Sequence, residues 1–383
     1  MLRPLALLLS ALTALLCAAA VAVVLLPPPS WEFWQYGLLV LEFALLPAAA
    51  AALGVLLALA GRAAHPRAAA VLAAANAVAL AAALVPPAST WWAARQAGAP
   101  VSLGGYADGL ATSADREPRT LVYASPGGED LEMDVWRPRE SGGEPLPVVV
   151  NVHGGAEDLP QSLLPRWDTW LADRGHVVFE VDYRFFPDGD WRAPVADVRC
   201  ALGRIRETAA DHGGDPGRIV LTGQSAGGLL ALLAAYSPAG DIEPSCPVEH
   251  VPVDAVAAWY SVADGTADAP PYPWRLRRSP LAAELDGESE RMVGGDTAQY
   301  AAMSPLLHVS PDSPPTLLIT AGHDLFLAPE DNRRLAARLA RAGVEHRLVE
   351  IPWAEHMFDL NWGGLASQWA RHELGGFLDR HTG

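Results

Sequence analysis

Ser225 stands in the sequence Gly223-Gln224-Ser225-Ala226-Gly227, directly after the β-branched run Arg218–Thr222 and directly before the apolar stretch Gly228–Leu233. That is the strand, sharp turn and helix setting in which a serine hydroxyl can be exposed as a nucleophile. The flanking glycines, Gly223 and Gly227, have a steric task, because the turn brings strand and helix backbones together and a side chain at either place would collide. A serine hydroxyl is a weak nucleophile until a base lies within hydrogen-bond reach. Two downstream segments offer the missing groups: Leu317–Gly322 runs into His323-Asp324, and Arg347–Ile351 leads to Glu355-His356. The chain order of Ser225, Asp324 and His356 is nucleophile, acid, base, so Asp324 is expected to orient His356, and His356 to activate Ser225. Asp264, just past the run ending at Ser261, is an alternative acid, and His323 is read as a bystander. Upstream, Val148–Val152 ends in His153-Gly154-Gly155. The backbone N–H groups of Gly154 and Gly155, with that of Ala226, are the expected oxyanion hole. His153 is read as orienting this loop rather than as a base.

These residues need a scaffold that brings strand ends together. Short β-branched runs at 120–125, 131–137, 147–152, 176–183, 218–222, 253–261, 316–321 and 346–352 alternate with helical patterns at 191–212, 227–236 and 329–342. The first two flank Pro126-Gly127-Gly128 and read as a hairpin. The alternation predicts an α/β fold with a mostly parallel sheet covered by helices on both faces, with chemistry beyond the carboxyl ends of the strands. Residues 263–313, between two strands, are expected to form a partial cap. Its Pro270-Pro271-Tyr272-Pro273-Trp274 stretch lines an acyl pocket or packs the cap, and Arg275, Arg277 and Arg278 follow.

With these motifs in place, residues 118 to 380 resemble the α/β-hydrolases, and more narrowly the bacterial esterase/lipase group that includes the hormone-sensitive-lipase-like carboxylesterases. The resemblance rests on Val150–Gly155, Val181-Asp182-Tyr183-Arg184, Asp215-Pro216-Gly217-Arg218, Ser304-Pro305-Leu306, Pro314–Leu318 and Ala354–Phe358. It implies an α/β-hydrolase fold and a serine hydrolase cleaving carboxylic esters through an acyl-enzyme, with no metal or organic cofactor. This chain departs from the group in Ala156, in Gln224 and in the loop 157–160. An amidase, peptidase or deacetylase of the same fold stays open as an alternative, as does a non-catalytic binding module on it.

The composition is split. The whole chain carries 27 basic and 44 acidic residues, a net charge of −17, yet is 51% hydrophobic. Residues 1–90 hold only Arg3, Arg62 and Arg67 against Glu32 and Glu42, a balance of +1 that leaves −18 to the rest. No basic cluster is present of the kind that binding to nucleic acid requires. Lysine is absent and alanine abundant, a bias that reads as bacterial. Apolar runs at about 5–26, 37–60 and 68–85 are expected to span a membrane, making residues 1–86 an anchor, 87–116 a linker and 117–383 the catalytic domain. The three arginines place the N-terminus inside, and hence the catalytic domain on the extracytoplasmic side of a bacterial cell membrane. Trp31, Trp34, Tyr36, Trp91 and Trp92 all fall at that outer interface. A cleaved signal peptide ending near Ala20 is the competing reading of the first run, and it leaves the catalytic domain on the same side. Glu42 is expected to sit near the outer interface and to snorkel or be protonated. Cys200 and Cys246 can pair in an oxidising compartment, and sequence leaves open whether they do.

Overall fold

The computed structural model describes residues 2–140, 142–155, 159, 161–266, 271–296 and 298–383. Ala156, Glu157, Asp158 and Pro160 of the loop after the expected oxyanion hole, and residues 267–270 and 297 of the expected cap, lie outside the described residues.

Eight strands form one sheet: β1 (Arg119–Ala124), β2 (Leu131–Trp136), β3 (Leu146–Val152), β4 (Val177–Val181), β5 (Gly214–Gln224), β6 (Ala255–Trp259), β7 (Thr316–Ala321) and β8 (His346–Ile351). Their order is β1-β2-β4-β3-β5-β6-β7-β8. The β1–β2 hairpin and the β2–β4 pair are antiparallel, and every other neighbouring pair is parallel. All five side chains of β4 and of β6 are buried, as expected for central strands covered on both faces.

The helices are α1 (Leu2–Leu25), α2 (Trp31–Glu42), α3 (Leu45–Gly61), α4 (Pro66–Gln96), α5 (Pro165–Asp173), α6 (Arg192–Thr208), α7 (Ala226–Tyr236), α8 (Trp274–Arg277), α9 (Leu281–Met292), α10 (Gln299–Ala302), α11 (Pro305–His308), α12 (Pro329–Ala342) and α13 (Leu365–His381). One sheet face packs on α6, α7 and α12 through residues such as Val198, Leu230 and Leu335. The other packs on α5 and α13 through Trp167, Leu171, Leu374 and Phe377. Cys200 of α6 and Cys246 are joined in a disulfide, with their Cα atoms 5.4 Å apart.

Among the N-terminal helices, α1 and α4 are each long and apolar enough to cross a membrane, and α2 with α3 make a third candidate that is bent by 74°. The apolar run expected as one span over 37–60 is therefore broken. Pro47 has no N–H to offer the Phe43 carbonyl, which instead accepts from Leu46 at 2.8 Å. The Glu42 carbonyl, which an unbroken helix would give to Leu46, accepts from the Tyr106 hydroxyl at 2.7 Å and from Asn361 Nδ2 at 2.8 Å. Helix α4 continues through Gln96, well into the stretch expected to be linker, with Pro86 and Pro87 inside it. Packing overrides the prolines there: the Thr90 hydroxyl donates to the Pro352 carbonyl at 2.8 Å, and Ala94 is buried in the same core as α13. Asn76, the polar residue of α4, donates to the Ser10 carbonyl at 3.0 Å and so is satisfied inside the bundle.

Candidate active site

The turn after β5 is as tight as its glycines imply. A Cβ on Gly223 would lie 2.4 Å from the Gly227 carbonyl oxygen, and one on Gly227 would lie 2.1 Å from that of Val152. Ser225 itself adopts φ 54° and ψ −122°, a strained conformation for a side-chain-bearing residue, and its N–H donates to the Trp259 carbonyl at 3.1 Å. That backbone places its hydroxyl at the mouth of the sheet and Ala226 at the first position of α7, where unpaired N–H groups and the helix dipole favour developing negative charge.

Ser225 Oγ is 2.9 Å from His356 Nε2, and His356 Nδ1 is 2.9 Å from Asp324 Oδ2. The second carboxylate oxygen of Asp324 accepts from the N–H groups of Phe326 at 2.8 Å and Leu327 at 3.2 Å, so the acid is held by its own loop. Sequence thus names all three members of the chain Ser225–His356–Asp324, and the fold brings them together from β5, β7 and β8. Burial alone pulls the His356 imidazole down. The charge of Asp324, its hydrogen bond, and the charges of Glu355 and Asp359 outweigh that, and the ring holds its proton above the ordinary histidine range. Asp264, the alternative acid, is engaged elsewhere, with Arg334 Nε at 2.8 Å and the Thr266 N–H at 2.9 Å.

Gly154 lies against the nucleophile, where a Cβ would meet both the Gln224 carbonyl oxygen and Ser225 Cβ at 2.9 Å. Gly154 and Gly155 therefore end β3 beside the elbow, in the place expected for oxyanion donors. His153 is buried, donates through Nδ1 to the Gly154 carbonyl at 3.0 Å and stacks on Tyr183 with ring centroids 4.8 Å apart. The Tyr183 hydroxyl donates to the His153 carbonyl at 3.0 Å, so this histidine braces the loop and does not reach the serine.

Several residues at this site escape a reading by motif. Glu355 Oε1 accepts from the Leu325 N–H at 2.6 Å and from the His356 N–H at 3.1 Å, tying the acid loop to the base loop. Its other oxygen accepts from Arg275 Nη1 at 2.8 Å, and the same guanidinium nitrogen donates to the His323 carbonyl at 3.2 Å. Burial raises the Glu355 carboxyl above its usual range even with Arg275 beside it. The rings of Tyr260 and Phe326 flank His356 at 4.7 and 4.9 Å. His323 is no bystander in packing. Its Nε2 lies 3.2 Å from the Val24 carbonyl at the end of α1, and burial followed by the charge of Arg275 lowers it to about 4, so it stays neutral. Glu42 does not snorkel. It is buried where α2 meets the catalytic domain, and its backbone carbonyl accepts from Tyr106 and Asn361. The only sequence signal for this group is adjacency: Glu355 precedes His356, His323 precedes Asp324, and Arg275 leads a basic run in the cap.

The chain is similar to known esterases in sequence and in fold. The family model BD-FAE matches residues 133–339, a stretch that includes Ser225 and Asp324 and ends before His356. Esterase LipQ of Mycobacterium tuberculosis is 31% identical over 245 residues, 61% of this chain and 56% of that protein. Esterase LipC of the same organism is 30% identical over 261 residues, 65% of this chain and 62% of that protein. The chain thus spans less than two thirds of the length of either relative. The apo form of Thermogutta terrifontis esterase 2 superposes with a TM-score of 0.58 at 25% identity, over 70% of this chain and 96% of that one. With a match over more than half of its length and the sheet, elbow and strand-end residues described above, the chain is an α/β-hydrolase and belongs to the BD-FAE family.

Proposed function

We propose that this chain is a membrane-anchored serine hydrolase that cleaves carboxylic esters through an acyl-enzyme. The observation that carries the proposal is the unbroken hydrogen-bond chain from Ser225 through His356 to Asp324, mounted on a strained elbow. Ser225 Oγ attacks the ester carbonyl while His356 Nε2 takes its proton. The tetrahedral oxyanion is held by N–H groups of Gly154, Gly155 and Ala226. As the intermediate collapses, the alcohol leaves with the proton from His356 and the acyl group stays on Ser225. Water, deprotonated by His356, then releases the acid and restores the serine. Asp324 holds the imidazole in the tautomer that accepts at Nε2 and stabilises its positive charge during each transfer. The names of LipQ, LipC and the Thermogutta enzyme, all esterases, support the ester as the bond cleaved.

The apolar helices support a multi-pass anchor, with Arg3, Arg62 and Arg67 on the cytoplasmic side and the catalytic domain outside. The Cys200–Cys246 disulfide supports the same side, since such bonds persist in oxidising compartments. The test is a panel of p-nitrophenyl esters, from acetate to palmitate, given to the full chain in detergent or nanodiscs and set against aminoacyl anilides. Ester turnover that Ser225→Ala lowers on the order of 10⁶-fold is the expected result. Turnover unaffected by that substitution, or confined to the anilides, would overturn the reading.

A further inference from the structure

The catalytic edge of the sheet meets the N-terminal helices along α2, with further contacts from α1 and α4. Helix α2 is too short to cross a bilayer, since its 12 residues extend about 18 Å. It is tilted 74° from α3 and so departs from the bundle direction at its outer end. One of its faces is buried: Trp34, Leu38, Leu41 and Glu42. Trp34 and Leu38 pack on Leu276 and Leu281 of the cap and on Leu325 of the acid loop. The opposite face is bare and amphipathic, with Phe33 45%, Tyr36 57% and Leu39 42% exposed beside the exposed polar side chains of Glu32 and Gln35.

From the buried face a continuous stack of rings leads to the base. Trp31 and Trp34 lie 5.8 and 5.0 Å from Phe326, and Phe326 meets His356 edge to face at 4.9 Å. His356 in turn contacts Ser225. The segment before α2 is also held to the catalytic edge, through Val24 to His323, through the Pro28 carbonyl to the Ser279 hydroxyl at 2.5 Å, and through Trp31 Nε1 to Glu284 at 2.8 Å. Beside this seam Leu25 and Leu26 are exposed at and just past the end of α1, and on the cap Trp274 is 49% exposed among the exposed charges of Arg277, Arg278 and Glu284. A surface that mixes leucine and aromatic side chains with charges and adjoins long apolar helices is suited to the headgroup layer of a bilayer.

We infer that α2 is the membrane-side wall of the catalytic site, and that the ester reaches Ser225 laterally from the bilayer rather than from bulk water. The inference rests on the esterase reading above and narrows its substrate class. The substrate is a long-chain amphiphilic ester dissolved in the leaflet, whose carbonyl lies at headgroup depth and whose acyl chain stays in hydrocarbon until it is drawn past α2 to Ser225. Such an ester is at its highest concentration where α2 lies, so sharing a bilayer with the enzyme raises its effective concentration.

The experiment places full-length protein in phosphatidylcholine nanodiscs and supplies 4-methylumbelliferyl oleate in two arrangements: in the same discs as the protein, or in separate protein-free discs mixed in at zero time. Release of the fluorophore is followed by stopped flow over the first turnovers. The water-soluble butyrate of the same fluorophore is run in parallel. Oleate hydrolysed at least about tenfold faster when it shares the disc is the expected result, with butyrate hydrolysed equally in both arrangements. Equal oleate rates in the two arrangements overturn lateral access, as does hydrolysis of butyrate with none of oleate. Failure to hydrolyse butyrate at all would count against the esterase reading itself, so the two failures are told apart.

Discussion

The nucleophile and the acid–base pair are positioned in opposite ways. Ser225 is held mainly by its own backbone turn, with glycine required at 223 by the Gly227 backbone and at 227 by the adjacent end of β3. His356 and Asp324 are held by groups from far along the chain: Arg275 in the cap through Glu355, and α2 through Phe326. A nucleophile has to be strained and exposed, which a local backbone can do unaided. A base has to be oriented and electrostatically tuned, which takes charges and walls from several elements. One end of the hydrogen-bond chain is therefore local and the other is tertiary, and the N-terminal helices belong to the tertiary end.

The largest effect expected from breaking the tertiary end directly is that of Asp324→Asn, with kcat lowered roughly 10⁴-fold and thermal unfolding little changed. If turnover survived, with Asp264→Asn abolishing it instead, the pairing seen here between Asp324 and His356 would not be the working one. Glu355→Gln comes next. It leaves the Arg275 guanidinium buried without its counter-charge, so stability should fall by about 3–5 kcal/mol, and kcat should fall roughly 10- to 100-fold as the acid and base loops lose register. A drop in stability with kcat unchanged would make Glu355 a packing residue and no more.

Trp34→Ala is the most informative of these changes, because it acts from the N-terminal helices. Loss of the ring should destabilise the protein by about 3 kcal/mol and lower kcat roughly tenfold or more on soluble esters, as Phe326 loses its support beside His356. Unchanged kcat in a folded Trp34→Ala protein would show that the anchor only tethers. The smallest effect is in pH. Turnover needs neutral His356, and the ring is held above its ordinary range by Asp324, Glu355 and Asp359. The acid limb of kcat/KM should therefore lie above the usual histidine value of about 6.5. Glu355→Gln removes a negative charge that favours the imidazolium, so it should move that limb to lower pH. A shift upward would contradict the sign of the interaction.

Much of the catalytic end was legible in the residues because its signals are local. The elbow is a pentapeptide whose glycines answer to contacts within the turn and with the adjacent strand β3. Asp324 and His356 were readable because each directly follows a buried-type strand, and the strands themselves were readable from β-branched runs that need two covered faces. What periodicity could not show was anything carried by pairs distant in the chain. The run 37–60 reads as one span by hydropathy, yet the Glu42 carbonyl is taken by Tyr106 and Asn361 and the helix breaks. Residues 87–96 read as part of a linker rich in Gly, Ala, Ser and Pro, yet continue a helix because Thr90 and Ala94 pack on the catalytic domain. Arg275, Glu355 and Phe326 carry no motif, and their roles exist only once the cap, the acid loop and α2 converge.

For this protein, then, sequence alone determined the expected chemistry, the alternation that builds the sheet, Ser225 and His356 beyond their strand ends with two candidate acids, and the apolar character of the N-terminal helices. Each of these follows from sterics or solvation acting over a few neighbouring residues. Tertiary structure alone decided which acid faces His356, that Cys200 meets Cys246, and that α2 packs on Phe326 beside His356. Those depend on which distant groups share a buried space, where an unmet charge or hydrogen bond is costly enough to select one arrangement.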